Sequence, residues 1–283
     1  VMAGKVAYRF GAPALLLFLG VGMLFGLDFI SYRSVDMTQF VGMIALCIIL
    51  FTGGMDTSFQ EIKPIIGPGV VLATVGVVMT AVVLAGFVWL IAPWIGLQIS
   101  FPLALLLAST MSSTDSASVF SILRSKKQGL KQHLRPLLEL ESGSNDPMAY
   151  MMTILLISIV TNTSGGVGMG MSIVYFVIQM IVGALSGYLI GRLAVWTINK
   201  INLANQSLYS VLLLAFIFFA FAFTDLVRGN GYLAVYLAGL VVGNHKLTQK
   251  RSLTVFFDGF TWLMQIVMFL TLGLFVNSDE LFR

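Results

Sequence analysis

Nine apolar runs dominate this chain: Gly11–Leu27, Met37–Phe51, Pro68–Ile91, Phe101–Leu123, Pro136–Val160, Met169–Ile198, Ser207–Phe223, Gly231–Gly243 and Phe256–Val276. A helix crossing the hydrocarbon core of a bilayer needs roughly 20 mainly apolar residues. The runs are close to that length, except the short Gly231–Gly243, so the expected fold is an all-α polytopic membrane protein. Composition removes the alternatives. Of 283 residues, 58% are hydrophobic and 10% charged, whereas a soluble domain has about a quarter charged. Sixteen basic and 12 acidic residues cannot furnish a polar skin for a chain of this size. A soluble enzyme and a disordered chain are excluded. The lone Cys47 excludes an internal disulfide and is expected to be a small core residue. No secretory cleavage pattern follows any run, so the spans are permanent. Val1–Phe10 reads as the tail of a preceding helix. Residues 1–283 are therefore read as one transmembrane domain that is part of a longer chain.

Lys and Arg concentrate on the cytoplasmic side of membrane proteins, and consecutive connections must alternate sides. One side holds Lys5, Arg9, Lys63, Arg124, Lys126, Lys127, Lys131, Arg135, Arg192, Lys200, Lys246, Lys250 and Arg251; the other holds only Arg33, Arg228 and Arg283. Thirteen of 16 basic residues thus mark one face as cytoplasmic, and the alternation supports nine spans. The cluster Arg124–Arg135 is a topology anchor, and the net charge of +4 does not indicate a nucleic-acid partner. His133 and His245 fall in loops on this face and are expected to be solvated; Asp225 with Arg228, and Glu61 with Lys63, read as interfacial charges.

A weak internal repeat is also present. Phe51-Thr52-Gly53-Gly54-Met55, followed by Glu61-Ile62, corresponds to Leu270-Thr271-Leu272-Gly273-Leu274, followed by Glu280-Leu281, at a constant offset of 219. The two copies end facing opposite sides, so the repeat is inverted, an arrangement that places transporter sites at the midplane. Three spans follow the first copy, so three more are expected after Arg283.

Two spans break the apolar rule. Ser109-Thr110-Met111-Ser112-Ser113-Thr114-Asp115-Ser116-Ala117-Ser118 is polar at the centre of its span, and a carboxylate at such depth is a functional candidate by default. The stretch is expected to interrupt its helix. The next span carries Glu139-Leu140-Glu141-Ser142-Gly143-Ser144-Asn145-Asp146-Pro147. Asp115 lies about 14 Å along a helix from Arg124, and Asp146 about 16 Å from Arg135, so both approach the midplane of a core about 30 Å thick. Glu141, Ser142, Asn145 and Asp146 share one helix face. Pro147 has no N–H for the Gly143 carbonyl. Carboxylates, hydroxyls, an amide and a carbonyl make an all-oxygen cradle suited to an alkali cation, with no His or Cys for zinc. Asp115 and Asp146 are the carboxylates expected to hold the alkali cation, and Glu141, closest to the entrance, suits a structural salt bridge. A carboxylate held away from water needs a proton or a cation to neutralise it. Competition at one alternately exposed site exchanges proton for cation. One titrating carboxylate per cycle makes that exchange electroneutral. No cofactor is implied.

The threonine–aspartate pair Thr114-Asp115 and the asparagine–aspartate pair Asn145-Asp146, on consecutive helices, resemble the monovalent cation:proton antiporters, most closely the bacterial potassium/proton antiporters of cell-volume regulation. The resemblance implies an essential carboxylate at Asp146, a helix break at Thr114, and coordination by Asp115 and Ser142. It further implies that Glu141 pairs with an arginine on a later helix and that Asn145 stabilises the crossing of unwound segments. A homodimer in the inner membrane of about thirteen spans is implied, with its complete N-terminus outside. The arginine-bearing helix, a second unwound helix and a cytosolic regulatory domain are not found before Arg283. Thr52 replaces an acid common in relatives. The resemblance implies exchange of K⁺ or Na⁺ for H⁺, without enzymatic activity. Two alternatives stand beside it: a cation channel and an intramembrane aspartyl protease. The protease would show Gly-x-Gly-Asp and Tyr-Asp, where this chain has Gly143-Ser144-Asn145-Asp146 and Thr114-Asp115.

Overall fold

The computed structural model describes residues 14–28, 34–115, 119, 134–161 and 169–276. Each of the nine apolar runs carries helix among the described residues, the fourth only in its first part: α1 (Ala14–Asp28), α2 (Val35–Asp56), α3 (Phe59–Ile95), α4 (Phe101–Thr110), α5 (Leu134–Val160), α6 (Met169–Lys200), α7 (Ser207–Leu226), α8 (Gly231–Gly243) and α9 (Lys250–Phe275). The Val1–Phe10 stub and most of the Arg124–Arg135 cluster lie outside the described residues.

Several boundaries move from those expected, for local reasons. α3 begins at Phe59, not Pro68, because Pro64 enters through a 3₁₀ turn at Lys63–Ile65 and Pro68 falls in the first turn of the following helical stretch. A π-helical turn follows at Leu72–Gly76. α8 matches its short run, and its 13 residues span about 20 Å, too little for the hydrocarbon core. It is tolerated because protein, not lipid, surrounds it. Ala234, Val235, Tyr236 and Val242 are fully buried. Asn230 caps its start by accepting from the Leu233 amide at 3.0 Å.

Two groups of helices emerge. α3, α4 and α5 pack together, while α1, α2, α6, α7 and α9 assemble with α8. α5 touches both groups, through α3 and α4 on one side and α2, α6 and α8 on the other. Cys47 is buried in the second group, as expected, with Phe51, Leu213, Ile217, Tyr236 and Phe257.

The repeat has a structural counterpart. A Cβ at Gly54 of α2 would overlap the Tyr236 carbonyl of α8, and a Cβ at Gly273 of α9 would overlap the Leu19 carbonyl of α1. These two glycines are the 219-related pair. Each therefore permits a close backbone crossing with the helix that precedes the other copy, the small-residue packing that holds helices together in lipid.

Candidate functional site

α4 stops at Thr110 because hydroxyls take over its last carbonyls. Ser109 donates to Leu106 O (2.7 Å), Thr110 to Leu107 O (2.7 Å) and Ser112 to Ser109 O (2.8 Å). Such side-chain bonds compete with the helix ladder and favour its end. The chain is then non-helical through Asp115, so the expected break is present, with Thr114 inside it. Beyond it the Val119 amide donates to the Asp115 carbonyl at 3.0 Å. Ser116–Ser118 lie outside the described residues.

α5 runs unbroken past its internal Pro147 and presents Glu141, Ser142 and Asn145 to this break. The Asn145 amide nitrogen donates to Thr114 Oγ1 (2.6 Å) and to Glu141 Oε1 (2.9 Å). A carboxylate only accepts, so the second bond fixes the orientation of the amide. Ser142 donates to Glu141 Oε2 at 3.1 Å, and the Thr114 hydroxyl lies 3.2 Å from Ser142 Oγ and 3.4 Å from Glu141 Oε2. Thr114, Glu141, Ser142 and Asn145 thus form one connected cluster. Ser142 and Asn145 are buried, Glu141 is half-buried and Thr114 exposed. Asp115 and Asp146 flank the cluster, each covalently next to a member of it; Asp115 is exposed and Asp146 half-buried.

With the Asn145 nitrogen committed, its Oδ1 is buried and has no hydrogen-bond partner among the described residues. Leaving a buried acceptor unsatisfied costs about 1–3 kcal/mol. A cation offers the missing partner. Within the described residues Glu141 collects hydrogen bonds from Asn145 and Ser142.

Three features were not anticipated. Glu139 is 8% exposed and paired with Arg135 at 2.9 Å, a further buried acid on the site helix. Asn230, fully buried, donates from Nδ2 to the Pro147 carbonyl (3.1 Å), while its backbone N–H donates to Gln179 O (3.0 Å). This side chain ties α8 and α6 to the residue following Asp146. Tyr236 lays its ring against Gly143, where a Cβ would collide with it. His245, expected to be solvated, is half-buried: Nδ1 lies 2.7 Å from Val241 O and Nε2 2.8 Å from Arg192. The expected solvated side chain is corrected accordingly.

A broken helix crossing an intact one through hydroxyl, amide and carboxylate oxygens defines the centre of this multi-helical fold. Comparison makes the class definite. Residues 1–282 match the family described as sodium/hydrogen exchanger, transmembrane, and the chain belongs to that family. It is 40% identical over 285 residues to the K⁺/H⁺ antiporter NhaP of Alkalimonas amylolytica, covering 99% of this chain and 48% of that protein. It is 34% identical over 284 residues to the K⁺/H⁺ antiporter NhaP2 of Shewanella sp. (strain ANA-3), again covering 99% and 48%. The chain therefore spans about half the length of the curated relatives it matches. Among solved structures, the sodium proton antiporter MjNhaP1 of Methanocaldococcus jannaschii at pH 8 superposes with a TM-score of 0.78 at 20% identity, over 100% of this chain and 69% of that one. That likeness establishes the antiporter fold.

Proposed function

We propose that this chain is the cation-binding portion of a secondary antiporter that exchanges K⁺ or Na⁺ for H⁺. The observation that carries the reading is the cluster at the α4 break, where Asn145, next to Asp146, keeps a buried oxygen that has no partner among the described residues. Asp146 is the carboxylate for which proton and cation compete. Asp115, Thr114 and Ser142 supply further oxygens, and Asn145 and Glu141 hold the break against α5. Pro147 supplies a buried carbonyl by which α5 is anchored to Asn230. The exchange is one for one, because Asn145 adds no second charge next to Asp146. Names of relatives support both ions: two are K⁺/H⁺ antiporters, and the low-affinity Na⁺/H⁺ antiporter NhaS1 of Synechocystis is 25% identical over 270 residues.

The basic connections face the cytoplasm, the membrane is the cell's inner one, and the working unit is a homodimer of longer chains. The domain of nine spans continues into further spans that complete the inverted repeat. No feature of the site favours a channel or a protease.

The test uses the full-length protein in liposomes containing a pH dye. External K⁺ or Na⁺ alkalinises the lumen if the cation enters as protons leave. Cation entry with electrical current and without coupled proton movement indicates a channel and refutes the proposal.

A further inference from the structure

The structure assigns to α6 and α8 a second site, outside the cation cluster: a groove for an anionic phospholipid, with Arg192 holding the phosphate. A cavity of about 530 Å³ opens beside α8, walled by Phe59, Tyr188, Leu237, Leu240 and Val241 and rimmed by His245. Its lower wall is apolar, its rim polar, and Arg192 stands 2.8 Å from His245 at that rim.

Arg192 needs an anion. It is exposed, and its one hydrogen-bond partner among the described residues is His245. A carbonyl only accepts and a guanidinium only donates. His245 therefore carries its proton on Nδ1, facing Val241 O, and offers a bare Nε2 to Arg192. A ring nitrogen accepting from the guanidinium brings no negative charge, so among the described residues no anion faces Arg192. Depth makes the guanidinium charge costly. Lys200 sits 4.9 Å over the ring of Trp196, an aromatic of the kind that marks the membrane interface. Arg192 lies four residues further in, about 6 Å along the helix, where the hydrocarbon begins. An arginine there is favourable when a polar or anionic group reaches it. The anions abundant at that depth are lipid phosphates.

The carbonyl end of α8, which would repel an anion, is already covered. Asn244 donates to Leu240 O at 2.8 Å, His245 takes Val241 O, and Lys250 takes Gly243 O. Lys246 and Arg251 add positive charge nearby in sequence. The apolar wall below the rim receives an acyl chain, which a free phosphate cannot supply.

Full-length protein in detergent is titrated with phosphatidylglycerol and with phosphatidylcholine of the same chains, and bound lipid is counted by native mass spectrometry. Phosphatidylglycerol is expected to bind about fivefold more tightly, the contribution of one basic residue near an anionic surface. Arg192→Gln is expected to remove the preference and Arg192→Lys to keep most of it. Equal binding of the two lipids by the wild type, an unchanged preference in Arg192→Gln, or displacement by millimolar inorganic phosphate overturns the assignment. If Arg192→Gln does not yield monodisperse protein, a photoreactive phosphatidylglycerol on the wild type decides. Labelling at residues 188–192 and 237–245 supports the groove, and labelling confined to other helices overturns it.

Discussion

Asn230 offers the sharpest test of how the site helix is held. Its side chain serves two elements at once, accepting from the Leu233 amide at the start of α8 (3.0 Å) and donating to the Pro147 carbonyl of α5 (3.1 Å). Asn230→Ala removes both. Loss of an N-cap costs about 1 kcal/mol, and an interhelical hydrogen bond within a membrane averages about 0.6 kcal/mol, so about 1.5 kcal/mol is lost. Asn230→Ser separates the terms: serine caps as well as asparagine but is too short to reach Pro147, so about 0.6 kcal/mol is lost. Asn230→Asp keeps the cap and sets a carboxylate against the Pro147 carbonyl, which is worse than serine. The expected order of stability is wild type, Ser, then Asp and Ala, measured as unfolding in a graded SDS titration of the full-length protein. Because Pro147 adjoins Asp146, Ser and Asp are also expected to weaken cation affinity in liposomes beyond any loss of folded protein. If Ala matches wild type in stability, or if Ser and Asp leave cation affinity untouched, the argument that Asn230 anchors the site helix is wrong.

Four further outcomes follow from the packing and the site. Gly239→Val places side-chain atoms on the Phe51 carbonyl, with the Phe51 carbonyl carbon already 2.9 Å from an added Cβ; size-exclusion of a fluorescent fusion is expected to show no monodisperse protein. Thr261 donates to Thr52 at 2.8 Å across α9 and α2. A double-mutant cycle of Thr52→Val and Thr261→Val is expected to give a coupling of about 0.6 kcal/mol, and zero coupling refutes the bond. The Arg135–Glu139 pair is i,i+4, with side chains 44% and 11% exposed. Because Glu139 is buried, Glu139→Gln is expected to destabilise by more than the roughly 0.5 kcal/mol of an exposed helix pair, as read by the same SDS titration. Asn145→Ala removes the buried acceptor and both donations, and is expected to raise the half-saturating cation concentration about tenfold or more in the liposome assay.

What could be read from residues alone was what depends on neighbours in sequence. The nine runs, the interruption of the helix within the polar stretch Ser109–Ser118 and the shared face of Glu141 and Asn145 follow from local composition and spacing, and each has its counterpart among the described residues. Contacts between distant segments were not legible. Asn230 sits in a Gly-Asn-Gly turn that reads as an ordinary loop, yet it reaches Pro147, 83 residues away. The burial of Glu139 depends on which helices cover that face of α5. His245 reads as a loop residue because its partner Arg192 lies 53 positions earlier, on another helix. One long-range contact does leave a mark in the sequence: Gly183, Gly187 and Gly191 recur at four-residue spacing, as do Ala234 and Ala238, and these faces meet along α6 and α8. Small residues at that interval mark close helix crossings in membranes, and they foretell that α8 is buried.

The central claim is that one carboxylate, Asp146, accepts either a proton or the cation. The direct measurement is the half-saturating K⁺ or Na⁺ concentration of the full-length exchanger in liposomes, followed over a series of pH values. Mass action for two ligands at one site predicts that this concentration rises toward about tenfold for each unit of falling pH, with maximal rate preserved. Asp146→Asn is expected to abolish exchange altogether. A half-saturating concentration that stays constant with pH, or an Asp146→Asn variant that still exchanges at the wild-type rate, contradicts the account.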